Sequence, residues 1–300
     1  MSGLASDVGE IRSVLADQFG ADTAVLIQKV ADSQPLIVEN ADEPFEAASL
    51  AKLPIALTVL DELLEGNLDR EEPLLLGERH KRSGTGVLKH LPSGLPVTVD
   101  QALGLMLVES DTTAANLLLE RLGGPGVVNQ HLANLTIEHS GLANRDDAFF
   151  ESTQTTAYEV LRIIQALDGR TEIVTELLHR SHFRYGLRRV ETGRPTVGTE
   201  TRLKIDSLGA QLIGRVGIKR LCQNLINFRL GRYYSQMAAT KEGSLDDQQH
   251  EAGLITSTNR IYVVAMSKGF EQPVYDLSHP AKVGFLAPLG RAILRHTQYH

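Results

Sequence analysis

The chain has 300 residues, of which 42% are hydrophobic, enough to bury the core of one large domain or of two subdomains. Its 37 acidic residues outnumber its 30 basic residues, and the net charge of -7 argues against a general surface for nucleic acid. The single cysteine, Cys222, excludes an intramolecular disulfide and a cysteine-based metal cluster.

The N-terminal residues, Met1 to Ala21, have no basic segment followed by a continuous apolar run, so they predict no export signal. No window of the sequence approaches the roughly 20 apolar residues that a membrane span requires. We therefore expect a protein without a membrane span, either cytoplasmic or exported by a signal that has been removed from this sequence.

The first elements are a helix and a hairpin. Apolar residues at helical spacing predict a helix from Val8 to Phe19, with Asp7 as its cap. Two β-prone runs follow, from Thr23 to Val30 and from Pro35 to Glu39. The short polar segment between them predicts a hairpin.

The middle of the chain is predicted to be mainly helical. Ser49 to Leu64 is rich in leucine and alanine, which favours a buried helix. A second apolar stretch runs from Val99 to Leu122, where Gly123-Gly124 stops it. Helical spacing continues from Thr155 to Leu167 and from Glu172 to Leu178.

The C-terminal part of the chain is predicted to contain a strand and a final helix. Arg260 to Met266 carries the β-branched and aromatic residues of a strand, and a helix is predicted from about Val283 to His296. Glu191 to Gly209, with its glycines and prolines, predicts a loop. This order favours an α/β (α+β) chain, in which both termini form one sheet and a helical part lies between them.

We therefore expect a single domain over residues 1–300. Its α/β part comprises about residues 1–45 and 237–300, and its all-α part about residues 46–180. The arginine-rich residues 181–236 form an insertion, either solvated and ion-paired or a substrate-side lid that contributes cations. A cleft is expected where the two parts meet.

Ser49 and Lys52 are three positions apart and would share one face of a helix. A serine hydroxyl is a weak nucleophile that needs a neighbouring base, and burial lowers the pKa of a lysine toward that role. The pair is therefore a candidate nucleophile and proton acceptor. Because this spacing is common, a helix-capping serine followed by a surface lysine remains the alternative.

Two further elements follow in the chain. Ser110 opens the run Ser-Asp-Thr-Thr-Ala-Ala-Asn-Leu-Leu, in which a second serine at a helix entrance can relay a proton while Asp111 caps the turn. Later, Lys241 precedes Glu242 and Gly243. The lysine offers a cation for a substrate carboxylate, and the glycine lets the backbone approach the substrate closely.

In type and order these elements resemble the Ser-x-x-Lys, Ser-Asp-Asn and Lys-Thr-Gly elements of the class A β-lactamase and penicillin-binding serine hydrolases. The resemblance implies a β-lactamase/transpeptidase-like fold, with an antiparallel sheet from both termini, helices, and an all-α subdomain. It also implies an acyl-enzyme on Ser49, with Lys52 as proton acceptor, Ser110 as relay, and the backbone amides of Ser49 and Ser244 as the oxyanion hole.

The same resemblance implies the ligands. The expected substrate is a small β-lactam or peptide-like molecule, contacted by four residues, namely Thr112, Lys241, Glu242 and Gly243. No metal or organic cofactor, nucleic acid or membrane span is expected, and the protein is expected to be a monomer.

Three departures from the family pattern bear on activity. Thr112 replaces an asparagine whose amide contacts the substrate's acylamido group. Glu242 replaces a threonine or serine and should weaken penicillin-type ligands, unless it turns away or pairs with an arginine. The deacylating glutamate is missing, because Glu138 and Glu151 are the only nearby glutamates and neither lies at the family's position.

We therefore expect β-lactam or related amide hydrolysis to be inefficient. One alternative is a D,D-peptidase or penicillin-binding protein, or an esterase, on the same scaffold. A second alternative is a protein without catalytic activity that uses the scaffold to bind a ligand or a partner.

Overall fold

The structure is a computed structural model, and it describes residues 2–143, 153–170, 172–180, 187, 238–256, 259–271 and 279–297. Its α-helices are α1 (Ser2–Phe19), α2 (Lys52–Leu64), α3 (Val99–Val108), α4 (Thr112–Leu122), α5 (Pro125–Asn134), α6 (Ala157–Asp168), α7 (Glu172–Arg180) and α8 (Ala287–Thr297). Short 3-10 helices lie at Ala48–Ala51, Glu78–His80 and Leu88–His90, and a π-helix lies at Ala281–Leu286. The strands are β1 (Asp22–Lys29), β2 (Ile37–Glu39), β3 (Phe45–Glu46), β4 (Pro73–Leu75), β5 (Pro96–Thr98), β6 (Gln154–Thr155), β7 (Ala238–Leu245), β8 (Gln248–Thr256) and β9 (Arg260–Lys268).

Both ends of the chain contribute to one five-stranded antiparallel sheet, in the order β2-β1-β9-β8-β7. The N-terminal strand β1 pairs with the C-terminal strand β9, with Leu26 opposite Val264. At the edge, β7 pairs with β8, with Lys241 opposite Ala252. The predicted hairpin and the predicted sheet from both termini are therefore confirmed.

The two faces of this sheet pack against different layers, because successive side chains of a strand point to opposite faces. Leu26 and Val264 belong to the core shared with the helical part. Val25 and Val263 belong to a second core, formed with the terminal helices. Each such fully buried aliphatic side chain contributes about 1.5–3 kcal/mol relative to exposure.

Helix α2 forms the centre of the helical part. Every residue from Lys52 to Leu60 is buried, as expected of a helix that is apolar on all sides, and α2 contacts α3, α4, α5 and α6. Pro54 lies in the first turn, where the helix loses no hydrogen bond to it. The 3-10 turn at Ala48–Ala51, directly before α2, contacts β7 and β8, and so the N-terminal end of α2 lies beside the sheet.

Several boundaries differ from those predicted. The first helix begins at Ser2, so Asp7 lies inside it and does not cap it; the Asp7 carboxylate instead lies 3.1 Å from His296 Nε2 on α8. The predicted helix from Ser49 to Leu64 begins as a 3-10 turn, and α2 itself starts at Lys52.

The apolar stretch from Val99 to Leu122 is two helices rather than one. The chain turns between α3 and α4, where Ser110 adopts a left-handed conformation with φ 56°. The Asp111 side chain ends the turn by accepting a hydrogen bond from the amide of Ala114 at 3.0 Å. A hydrophobic pattern continues through such a turn, so periodicity alone does not reveal it.

The helical part also contains strands that the sequence did not indicate. β4 pairs with β5, and β3 pairs with β6, each as a short two-stranded sheet. The arginine-rich insertion lies outside the described residues except for Leu187, as do the loop from Glu191 to Gly209 and Glu151. In the described part of the chain, each helix is too short or too polar to cross a membrane.

Candidate active site

Ser49 lies on a tight turn between β3 and α2. Ala48, immediately before it, has φ 48°, a left-handed conformation that a residue with a side chain adopts only at a cost of about 1–3 kcal/mol. Ala48 and Leu50 are buried, whereas Ser49 is partly exposed. The strained turn thus presents the serine at the surface of the core.

Lys52 lies beside Ser49 as the spacing predicted. Its Nζ donates to Ser49 Oγ at 3.0 Å. The same nitrogen donates to Ser110 at two atoms, the carbonyl oxygen at 2.6 Å and Oγ at 3.1 Å, and it lies 3.4 Å from Thr112 Oγ1. The first two sequence elements therefore meet at one amine.

The environment of Lys52 disfavours its charged form. Burial lowers the pKa of its amine well below 10.5, and repulsion by Lys241 lowers it further, while attraction by Asp111 acts in the opposite direction. An amine with a lowered pKa is deprotonated at a lower pH than an exposed lysine. Lys52 is thus suited to accept a proton from a neighbouring hydroxyl.

Ser110 connects the second element with the third. Lys241 Nζ donates to Ser110 Oγ at 2.9 Å and to the carbonyl oxygen of Glu242 at 2.8 Å. The Ser110 hydroxyl therefore lies between two amines, those of Lys52 and Lys241. Lys241 is only 1% exposed, so in this structure its charge is directed at Ser110 rather than at the open cleft.

Asp111 fixes the Ser110 turn to a neighbouring loop. Its Oδ2 accepts hydrogen bonds from the amides of Val87 and Leu88 at 2.7 and 2.9 Å. Gly86 has φ 105°, and a Cβ there would lie 2.1 Å from Asp111 Cγ, so this close approach requires glycine. The sequence analysis did not predict this contact, for which the Gly-Thr-Gly pattern of residues 84–86 is the available signal.

Gly243 brings β7 directly against the turn that carries Ser49. A Cβ on Gly243 would lie 3.2 Å from both the carbonyl oxygen of Ala47 and the amide nitrogen of Leu50. A larger residue would move the strand away. This contact brings together the segments that carry Ser49 and Ser244. The backbone amides of these two serines are the predicted donors of the oxyanion hole.

Glu242 lies on the opposite face of β7 from Lys241, as strand alternation requires. Its cross-strand neighbour is Glu251, and both residues are buried. Glu251 accepts hydrogen bonds from Thr240 Oγ1 and, at 2.6 Å, from the amide of Leu187. The motifs did not identify Glu251, although the register of β7 and β8 places it beside Glu242.

Among the described residues, no carboxylate is hydrogen-bonded to Ser49. Glu138 is exposed. Glu159, on α6, accepts hydrogen bonds from three consecutive amides, those of Glu138, His139 and Ser140. Burial raises the pKa of Glu159, but these donors outweigh it and the net pKa is lowered. Glu159 thus holds a loop in place and is not free to activate water.

Within the described ranges, no group of three or more His, Cys, Asp or Glu side chains is arranged to hold a metal ion. The hydrogen bonds of the polar centre join two serines, Ser49 and Ser110, to two lysines, Lys52 and Lys241. Its parts come from the Ser49 turn, α2, the turn before α4, and the edge strand β7.

The sequence matches the model of the Beta-lactamase enzyme family over residues 8–197. The β-lactamase VEB-1 of Pseudomonas aeruginosa is 32% identical over 110 residues, which cover 36% of this chain and 37% of VEB-1. The chain thus spans little more than a third of the length of VEB-1 in that match.

One relative matches along nearly its whole length. The β-lactamase regulatory protein BlaB of Streptomyces cacaoi is 26% identical over an alignment 309 residues long, which covers 95% of each chain. Among solved structures, a β-lactamase from Sphaerobacter thermophilus DSM 20745 superposes with a TM-score of 0.71 and 21% identity, covering 98% of this chain and 96% of the other. This likeness confirms the predicted β-lactamase/transpeptidase-like fold.

Proposed function

Because the chain belongs to the Beta-lactamase enzyme family, we propose that it is a serine hydrolase that forms an acyl-enzyme on Ser49. The main support is the hydrogen bond of 3.0 Å between Lys52 Nζ and Ser49 Oγ. A buried amine with a lowered pKa, within reach of a partly exposed hydroxyl, meets the geometric and acid-base requirements of nucleophilic catalysis.

In the proposed acylation, Ser49 Oγ attacks the carbonyl carbon of the substrate while neutral Lys52 accepts the hydroxyl proton. The amides of Ser49 and Ser244 stabilise the negative charge that develops on the carbonyl oxygen. As the C–N bond breaks, the Ser110 hydroxyl donates its proton to the leaving nitrogen. Lys52 then returns the proton to Ser110 Oγ, which lies 3.1 Å away.

The proposed substrates are small β-lactams or related peptide-like amides. The substrate contacts are proposed to come from two elements that border Ser49, with Thr112 on one side and Lys241 and Gly243 on the other. Glu242, on the opposite face of β7, is proposed to act on the substrate through its charge. The inward direction of Lys241 and the carboxylates of Glu242 and Glu251 argue against a strong site for a substrate carboxylate at β7.

We also propose that release of the acyl group is slow. Glu138 is exposed and Glu159 is held by backbone amides, so neither supplies a base for water at Ser49. A slowly released adduct fits a penicillin-binding protein or D,D-peptidase as well as a weak β-lactamase, and esters are further possible acyl donors.

A time course tests both parts of this proposal. The purified protein is mixed with benzylpenicillin, and its intact mass is followed after the free ligand has been removed. We expect the adduct to form and to persist after removal, with only slow turnover of nitrocefin. Rapid loss of the adduct with efficient turnover would contradict slow release, and the absence of any adduct would contradict acyl transfer from β-lactams.

A second candidate function is a regulatory binding protein. It is favoured by the likeness to BlaB, which extends over 95% of both chains. In that case a β-lactam or a cell-wall peptide would bind at the same cleft without covalent attachment. Calorimetric binding without a mass adduct would support this candidate over the hydrolase.

A further inference from the structure

The carbonyl oxygen of Ser110 accepts two hydrogen bonds of equal length. Lys52 Nζ and Thr85 Oγ1 each donate to it at 2.6 Å. Ser110 lies outside α3 and α4, so its carbonyl group is not part of a regular helix. The direction of this carbonyl is therefore set by its two side-chain donors and by the left-handed backbone of Ser110.

Thr85 is itself held against the same turn through its backbone. The amide of Thr112 donates to the carbonyl oxygen of Thr85 at 3.2 Å. Two positions further on, the amide of Val87 donates to Asp111 Oδ2. Bonds on both sides of Thr85 thus restrict where its hydroxyl can lie, although its side chain is exposed.

The number of protons on Lys52 explains why this carbonyl matters. A neutral lysine amine has two N–H groups and one lone pair, and only the lone pair can accept a proton from Ser49. The charged amine donates to Ser49 Oγ, whereas the neutral amine, with one N–H group directed at the Ser110 carbonyl and the other at a hydroxyl, turns its lone pair toward Ser49 Oγ. A carbonyl that moved away would allow the amine to rotate.

We propose that Thr85 is a positioning residue for the acyl transfer, whose hydroxyl holds the Ser110 carbonyl where it takes one N–H group of Lys52 and so directs the amine's lone pair at Ser49. The proposal rests on the function proposed above. Thr85 acts through Ser110 and Lys52, and it does not touch the reacting atoms.

The proposal has a consequence with a definite sign. Without the Thr85 hydroxyl, the Ser110 carbonyl follows Lys52 instead of fixing the direction of its amine, and the oxygen then accepts a hydrogen bond from the lysine alone. A stronger acceptor favours the charged amine, and the pKa of Lys52 should rise. The charges of Lys241 and Asp111, which also act on this amine, are unchanged by the substitution.

The experiment compares wild type, Thr85→Val and Thr85→Ser. Valine keeps the shape of threonine without the hydroxyl, and serine keeps the hydroxyl without the methyl group. Acylation by a fluorescent penicillin is measured across the pH range in which the rate rises, after urea unfolding has shown that each variant is folded. Because Thr85 is exposed, we expect each variant to fold, and the serine variant provides an independent folded comparison.

We expect Thr85→Val to acylate about fivefold to tenfold more slowly, the effect of about one hydrogen bond, with the rise in rate moved to higher pH. Thr85→Ser should stay within about twofold of wild type. Equal rates and profiles for wild type and Thr85→Val would overturn the proposal, as would equal impairment of the valine and serine variants. A folded wild type that forms no adduct would instead overturn the proposed function, and this inference with it.

Discussion

The Nζ atom of Lys52 donates to both oxygens of Ser110, the carbonyl at 2.6 Å and the hydroxyl at 3.1 Å. These bonds join the first turn of α2 to the turn between α3 and α4, 58 positions along the chain. They depend on the left-handed backbone of Ser110, which Asp111 holds in place. Positive φ values at both Ala48 and Ser110 put backbone strain at the two serines of the site.

The first prediction concerns the pH dependence of acylation. Only neutral Lys52 can accept the proton of Ser49, so the rate should rise with pH through the pKa of Lys52 and then level off. Burial and Lys241 lower this pKa well below 10.5, so the rise should end well below that pH. Replacing Lys241 by methionine removes the repulsion and should move the rise to higher pH.

The matched control is Lys268→Met, which removes a lysine that lies over the Phe45 ring outside this network. Second-order acylation rates with a fluorescent penicillin, measured for the three proteins at each pH, give the profiles. An unchanged profile in Lys241→Met would mean that Lys241 does not set the protonation of Lys52.

The second prediction concerns stability. Asp111 is fully buried and accepts hydrogen bonds from the amides of Val87, Leu88 and Ala114. Asp111→Ala leaves these donors without their acceptor and should lower the free energy of unfolding by about 3 kcal/mol or more, and acylation should fall with it.

Asp100→Ala is the control for Asp111, because Asp100 is an exposed residue in the first turn of α3 that pairs with Arg70 at 2.8 Å. Asp100→Ala should lower the free energy of unfolding by less than about 1 kcal/mol. Urea unfolding of the three proteins measures both changes. Similar losses in the two variants would show that the Asp111 bonds do not support the turn.

The third prediction concerns Glu242. The β7 register places its carboxylate opposite Glu251, behind the strand that carries Lys241 and Ser244. For a carboxylate that lies about 8 Å from an anionic ligand, at an effective dielectric of about 20–40, the repulsion amounts to about 1–2 kcal/mol. Glu242→Gln should therefore speed acylation by benzylpenicillin roughly fivefold or more, and change p-nitrophenyl acetate hydrolysis little.

The control for net charge is Glu10→Gln, an exposed position on α1. The prediction is tested by measuring the acylation rate with benzylpenicillin and the hydrolysis rate of p-nitrophenyl acetate for wild type, Glu242→Gln and Glu10→Gln. An equal change for the anionic and the neutral ligand would indicate that the Glu242 charge does not reach the cleft.

The fold and the three motifs were accessible from the sequence because they depend on local periodicity and spacing. The helix at Ser49 to Leu64 and the strand at Arg260 to Met266 carry patterns that tertiary contacts reinforce. The orientation of Glu242 was not predicted, because the sequence analysis placed it with Lys241 among the substrate contacts and left open whether it turns away, although alternation along a strand puts neighbours on opposite faces.

Other features depended on contacts between distant segments. The break at Ser110 arises where Asp111 binds the loop at Val87, 24 positions earlier, and the apolar periodicity does not mark it. The helix entrance predicted at Ser110, with Asp111 as its cap, is nevertheless confirmed. The role predicted for Asp7 failed because α1 begins at Ser2 and so contains Asp7, whose carboxylate lies beside His296 at the other end of the chain. Likewise, the contact from Thr85 to Ser110 appears only when both turns are packed together.

The most direct test of the central claim is the site of covalent attachment. Wild type, Ser49→Ala and Lys52→Met are incubated with a fluorescent penicillin, and intact masses and labelled peptides are determined by mass spectrometry. Ser49 is partly exposed and both variants keep the buried core, so each should fold. We predict one adduct on wild type, located on Ser49, none on Ser49→Ala and a severe loss of labelling in Lys52→Met. Labelling of Ser49→Ala to the wild-type level, or an adduct on another residue of the wild type, would contradict the assignment of Ser49 as the nucleophile.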